Sequence, residues 1–120
     1  MHYLPQTIPD EAADALRPAF DRSYTDYVET WLEACRRDEA QLWRRNQYWA
    51  ITRVISALKT GEMICHQVAS AGEFDGELLN EIEAWAKSKG CVKMVADVRP
   101  GLTRRVDGYA IKAVTVEKGI

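Results

Sequence analysis

The sequence predicts an α+β fold: a mixed, mainly antiparallel sheet with a central parallel strand pair and flanking helices. Three observations predict it. Two amphipathic helical segments come first, three strand-like segments joined by short turns come next, and the fourth strand comes only after another amphipathic helix. Strands joined by tight turns pair antiparallel, whereas a strand–helix–strand unit returns by a right-handed crossover to a parallel neighbour. A chain of 120 residues is long enough for one domain with one core. It reads as residues 1–39 for the N-terminal helices and 40–120 for the sheet.

Each element has a local reason. Thr7-Ile8-Pro9-Asp10 joins a hydroxyl cap, a first-turn proline and an early acid, and so starts a helix through Ala13, Leu16 and Phe20. Pro18 lacks an N–H and is expected to kink or end that helix near Arg17. A second helix comes after Ser23 or Thr25, with Tyr27, Val28, Trp31, Leu32 and Cys35 as its apolar stripe. Ala40 to Arg45 and Tyr48 to Ala57 are rich in aromatic and β-branched residues around Asn46-Gln47, which predicts a hairpin. Lys59-Thr60-Gly61-Glu62 makes the next turn and Met63 to Ala69 the third strand.

Gly72 to Gly76 reads as a loop, and Asp75 to Ser88 as a helix with Leu78, Leu79, Ile82, Trp85 and Ala86 on its core face. Trp85 is expected to be buried against the sheet. Gly90 stops the helix. Cys91 to Val98 is almost continuously apolar, as expected of a buried central strand. Pro100-Gly101 breaks it, Leu102 to Asp107 forms a short helical turn, and Tyr109 to Glu117 is the last strand.

Composition excludes several function classes. The net charge is -2, and acids are interspersed among the basic pairs Arg36-Arg37, Arg44-Arg45 and Arg104-Arg105. That leaves no basic footprint for nucleic acid. No apolar run is long enough to span a bilayer, and Met1 to Pro5 lacks the features of a signal peptide. A cytoplasmic protein with no membrane and no nucleic-acid partner is expected. Cys35, Cys65 and Cys91 are odd in number and lie in apolar patterns, which reads as buried thiols in a reducing compartment. There is no CxxC, and neither His2 nor His66 has a second ligand at useful spacing, so no metal site is expected.

Three segments carry a family resemblance. The first is Ala40-Gln41-Leu42-Trp43 with Ala50-Ile51-Thr52 after it. The second runs from Ile82 through Trp85-Ala86-Lys87 to Gly90-Cys91. The third is Val98-Arg99-Pro100-Gly101, then Arg104 or Arg105, then Gly108-Tyr109. Together, from about Ala40 to Lys118, they resemble the GNAT (Gcn5-related N-acetyltransferase) family in the short form common among bacteriophage proteins, with Leu102 in place of its tryptophan.

The resemblance implies an acetyl-CoA cofactor lying between the parallel strands, with Ser70, Ala71, Gly72 and Gly76 in the cofactor-binding stretch. A helix start offers free N–H donors and partial positive charge to a pyrophosphate. Here the stretch departs from the family's Q/R-x-x-G-x-G/A. It keeps two glycines and brings in Glu73, Asp75 and Glu77, of which Asp75 reads as a helix N-cap. Amine acetylation needs a base and often an acid. The base candidates are Glu62, His66 and Asp97, although Asp97 is equally a partner for Arg99. The family's tyrosine is absent from Leu102 to Val106, and Tyr109 reads as a core residue. No catalytic residue is assigned.

Two functions are compatible with these residues. One is acetyl-CoA-dependent N-acetyl transfer to a small amine or protein. The other is a non-catalytic GNAT-fold binding protein that acts on a host protein or serves as a virion component. A homodimer is a further partner expectation.

Overall fold

The first two helices, the hairpin and the crossover helix fold close to where their patterns place them. The structure, a computed structural model, describes residues 2–4, 7–21, 26–97, 108–111, 116 and 118–119. The chain runs α1 (Glu11–Phe20), α2 (Val28–Arg36), β1 (Gln41–Arg45), β2 (Tyr48–Ser56), β3 (Met63–Ala71), α3 (Gly76–Ser88) and β4 (Cys91–Ala96). The sheet order is β1-β2-β3-β4, with β1–β2 and β2–β3 antiparallel and β3–β4 parallel. This is the mixed sheet with a parallel pair that the crossover pattern requires. Val98, Arg99, the helical turn at 102–107 and most of the last strand lie outside the described residues.

Each face of the sheet is covered differently. Leu16, Phe20, Val28, Leu32 and Cys35 of α1 and α2 pack with Leu42, Trp49, Ile51 and Ala69 on one face. Leu78, Ile82 and Ala86 of α3 pack with Trp43, Tyr48, Cys65 and Cys91 on the other. At the outer edge of β1 the N-terminal segment acts as a strap. The Leu4 N–H donates to the Leu42 carbonyl at 2.8 Å and the Arg44 N–H to the His2 carbonyl at 3.0 Å. An edge strand's unpaired groups are thereby satisfied. Tyr3 rests on Trp43, with ring centroids 5.2 Å apart.

β3 carries a bulge. Thr52 pairs with Gln67 but Ile51 pairs with Ala69, which leaves Val68 as an extra residue. Cys65 therefore points to the α3 face, while Val68 and Ala69 both belong to the α1–α2 face. An inserted residue bends a strand and re-aims the side chains beyond it.

Some expectations are corrected. α1 starts at Glu11 after Asp10 rather than at Thr7, and it runs through Pro18 to Phe20. The carbonyl that Pro18 leaves without a donor belongs to exposed Asp14, where water can serve it. Tyr27 stands outside the α2 stripe, 73% exposed. β3 extends two residues further, to Ala71. Trp85 is partly buried at the rim of the α3 face, against Trp43. β4 is not a buried central strand among the described residues. It ends the sheet and packs on α3 by one face, so Val92 and Val95 are exposed. An apolar run cannot by itself tell a strand covered on both faces from one covered on one.

Candidate functional site

The end of the β3–β4 pairing gathers the chemistry-bearing side chains. Its last described rung is Gln67↔Ala96, and beyond it the Asp97 N–H donates to the Gln67 carbonyl at 3.1 Å. β3 continues through Val68–Ala71 with no β4 partner among the described residues. Beside this rung the His66 Nε2 lies 2.7 Å from Asp97 Oδ2. His66 Nδ1 accepts from Arg53 Nε at 3.0 Å. The Arg53 guanidinium also sits over the Trp31 ring, 5.4 Å from its centroid. Two sequence candidates, His66 and Asp97, are thus joined.

The donors assign the roles. Arg53 can only donate, so His66 Nδ1 must be the acceptor and its proton sits on Nε2, directed at Asp97. Both ring nitrogens are committed, and the imidazole offers no free lone pair to a substrate. Asp97, with a side chain 69% exposed against 14% for His66, is the open end of the chain. The sequence places Trp31 only in the apolar stripe of the second helix and by itself assigns no role to Arg53. Arg53 stands directly across from His66 in the β2–β3 register, so the hairpin alignment was the signal that could have found it.

The third base candidate, Glu62, lies in the β2–β3 turn, where its carbonyl accepts from the Ala57 N–H at 2.8 Å. That is the opposite end of β3 from Asp97, so the structure does not bring the two together. The Tyr109 hydroxyl donates to Glu83 Oε1 of α3 at 2.6 Å. Burial, then the hydrogen bond to Glu83 and its charge, push this phenol above its ordinary value, so it stays protonated. The buried thiols are inert. Desolvation pushes Cys35 and Cys65 up to about 12 and raises Cys91 as well. Among the described residues no three His, Cys, Asp or Glu side chains come together as a metal site.

The predicted cofactor stretch divides between two elements and the turn joining them. Ser70 and Ala71 end β3, paired with Ala50 and Trp49, and Gly76 is the first residue of α3. Gly72 is held at φ +89°, and a Cβ there would stand 1.8 Å from the Gln47 carbonyl oxygen of the β1–β2 turn. Only glycine allows that approach. Asp75 is the N-cap, as expected. Its Oδ1 accepts from the Glu77 and Leu78 N–H groups at 3.0 and 3.2 Å. The Arg45 Nη1 reaches both its oxygens at 2.8 and 2.7 Å, and Asn46 Nδ2 adds a contact at 3.0 Å. Arg45 also pairs with Glu77. Burial alone would raise the Asp75 carboxyl, but the hydrogen bonds from Arg45, Leu78 and Asn46 outweigh it and hold the carboxyl below its usual range. Glu73 is exposed.

No protein-family model and no curated protein matches the sequence. Solved structures do match. An aminoglycoside acetyltransferase, meta-AAC0020, from an uncultured soil metagenomic sample, in complex with sisomicin, superposes with a TM-score of 0.70 at 9% identity, covering 98% of this chain and 93% of that one. The aminoglycoside N-acetyltransferase AAC(6')-Iy in complex with CoA gives 0.60 at 10% identity over 98% and 92% of the two chains. A GNAT family acetyltransferase of Staphylococcus aureus gives 0.56 at 11% identity over the whole of both. Identities this low carry the architecture and leave the chemistry open. With strand order, parallel pair and crossover helix in agreement over nearly the full length, this chain is built on the GNAT acetyltransferase fold.

Proposed function

We propose that the chain transfers an acetyl group to an amine at the end of the β3–β4 pairing. The observation that carries this reading is the His66–Asp97 hydrogen bond of 2.7 Å beside the last rung. It holds an exposed carboxylate at the last described rung of the parallel pair, beside a stretch of β3 that has no β4 partner among the described residues. Asp97 attracts the ammonium form of an amine, orients it and takes its proton, so that the amine nitrogen bonds to the thioester carbonyl carbon as the C–S bond breaks and the sulfur leaves as the free thiol. His66, fixed in turn by Arg53, is a positioning residue for Asp97. The likeness to acetyltransferases, one of them a CoA complex, supports acetyl-CoA as the donor class. The buried free thiols accord with a reducing compartment such as the cytoplasm. As it stands the α3 start does not fit a pyrophosphate, because Asp75 takes two of its N–H donors.

The test is release of free thiol from acetyl-CoA in the presence of a panel of polyamines, aminoglycosides and peptide amines. Asp97→Asn is expected to lower kcat/KM about 10²–10⁴-fold, the scale of a positioned acid–base group. Equal rates for Asp97→Asn and the unmodified protein would sink the assignment.

A second reading is favoured by the Asp75 cap itself: a non-catalytic binding protein of phage type, directed at a host or virion protein. No thiol release with any amine, together with no heat on titration with acetyl-CoA or CoA, would favour it.

A further inference from the structure

We infer that the β3–α3 turn is shut to a pyrophosphate by the chain's own carboxylate. Any acyl thioester this domain uses is then recognised without its phosphates. Recognition of a thioester rests on the acetyl-transfer reading, whereas closure of the turn does not.

A helix start binds an anion with N–H groups that lack an internal partner. Here an internal anion has taken their place. Asp75 accepts from the Glu77 and Leu78 N–H groups, from Arg45 through both oxygens and from Asn46. Its side chain is only 10% exposed. An incoming phosphate oxygen must displace a carboxylate that already has four donor groups, three of them at 3.0 Å or less. Such charge-assisted bonds are among the stronger ones a protein makes.

The obvious cationic help is already engaged. Arg45 bridges Asp75 and Glu77, so its charge is balanced within the turn. A displaced Asp75 carboxylate would stay within a few ångströms of the phosphate, inside the screening length of about 8 Å at physiological salt. The neighbouring backbone opposes an anion as well. The Gln47 carbonyl oxygen is pressed against Gly72 and turns the negative end of a dipole toward the turn. Arg45 and Asn46 come from the β1–β2 turn and Asp75 from the β3–α3 turn, so the contact is a clasp between two turns.

The experiment compares two donors that differ in their phosphates, acetyl-CoA and S-acetylpantetheine, by calorimetry. The proteins are the full chain and its Asp75→Gly variant, since glycine is tolerated at an N-cap. Asp75→Ser, which keeps a small capping hydroxyl, takes its place if the glycine variant fails to fold by circular dichroism. The unmodified chain is expected to bind acetyl-CoA no more than about threefold more tightly than S-acetylpantetheine, or to bind neither. The variant is expected to gain about tenfold or more for acetyl-CoA alone, the scale of one recovered charge-assisted contact. A tenfold preference for acetyl-CoA in the unmodified chain overturns the inference, and so does a folded variant that gains nothing. The acetyl-transfer reading fails separately, when neither donor releases thiol with any amine even though binding keeps the expected pattern.

Discussion

The two faces of the sheet are stabilised in different ways. Under α1 and α2 the buried side chains are apolar, from Ala12 and Leu16 through Leu42, Trp49 and Ile51 to Ala69. Under α3 the same depth of burial includes Gln41, Thr52 and Gln67. There Trp43 Nε1 donates to Thr52 Oγ1 at 3.0 Å, and that hydroxyl donates to Gln41 Oε1 at 2.9 Å. Dispersion and hydrophobic burial tolerate changes of shape that conserve volume. A buried hydrogen-bonded relay does not, because losing one member strands the next. The first face selects for bulk and the second for specific partners.

Neighbouring residues on β1 put that contrast at risk, since Leu42 and Trp43 are both fully buried but on opposite faces. Trp43→Ala is expected to cost about 3–5 kcal/mol in urea denaturation, toward the upper end because Thr52 loses its donor. Leu42→Met should cost under about 1.5 kcal/mol, as volume-conserving swaps do. Comparable losses for the two would remove the distinction. Trp85 refines it from the rim. Its ring meets Trp43 edge-on at 5.4 Å but is only partly buried, so Trp85→Ala should cost about 1–3 kcal/mol, short of the about 3–5 that full burial carries.

A last effect, absent at neutral pH, is one the two faces share. Cys35 lies on the α1–α2 face and Cys65 on the α3 face, and burial pushes both thiols up to about 12. A folded value raised above the unfolded value of about 8.5 means stability that is complete below that pH and lost as pH rises toward the folded value. Stability should fall above about pH 9 by at most about 1.4 kcal/mol per pH unit for each thiol. Cys35→Ala and Cys65→Ala should each lower that slope by at most about 1.4 kcal/mol per pH unit in melts taken from about pH 8 to 11. Alkaline curves unchanged by either substitution would show that the thiols do not set it.

Features written in neighbouring residues were legible before the structure. Asn46-Gln47 announced the hairpin, and Asp75 announced its own cap, because each depends on contacts a few residues away. Arg45 was read only as part of a basic pair. Its partner is thirty positions on, and only the closeness of two turns brings them together. His66 and Asp97 were both candidates, yet their link depends on the parallel register, which a sequence does not print. β4 was misjudged because its valines look alike whether a second layer covers them or not. Pro18 does not end α1, because the carbonyl it leaves without a donor belongs to exposed Asp14, where water can take the place of the missing N–H.

The extra residue at Val68 works like a frame in a code read two letters at a time. Residues before it are assigned inside or outside by one parity and residues after it by the other. Deleting Val68 would restore simple alternation: Gln67 would still lie opposite Thr52, Ala69 would still lie opposite Ile51, and Ala69 and Ala71 would still face α1 and α2. What would be lost is the bend that the extra residue puts into β3. At this position the length of the strand can change while both faces keep their side chains.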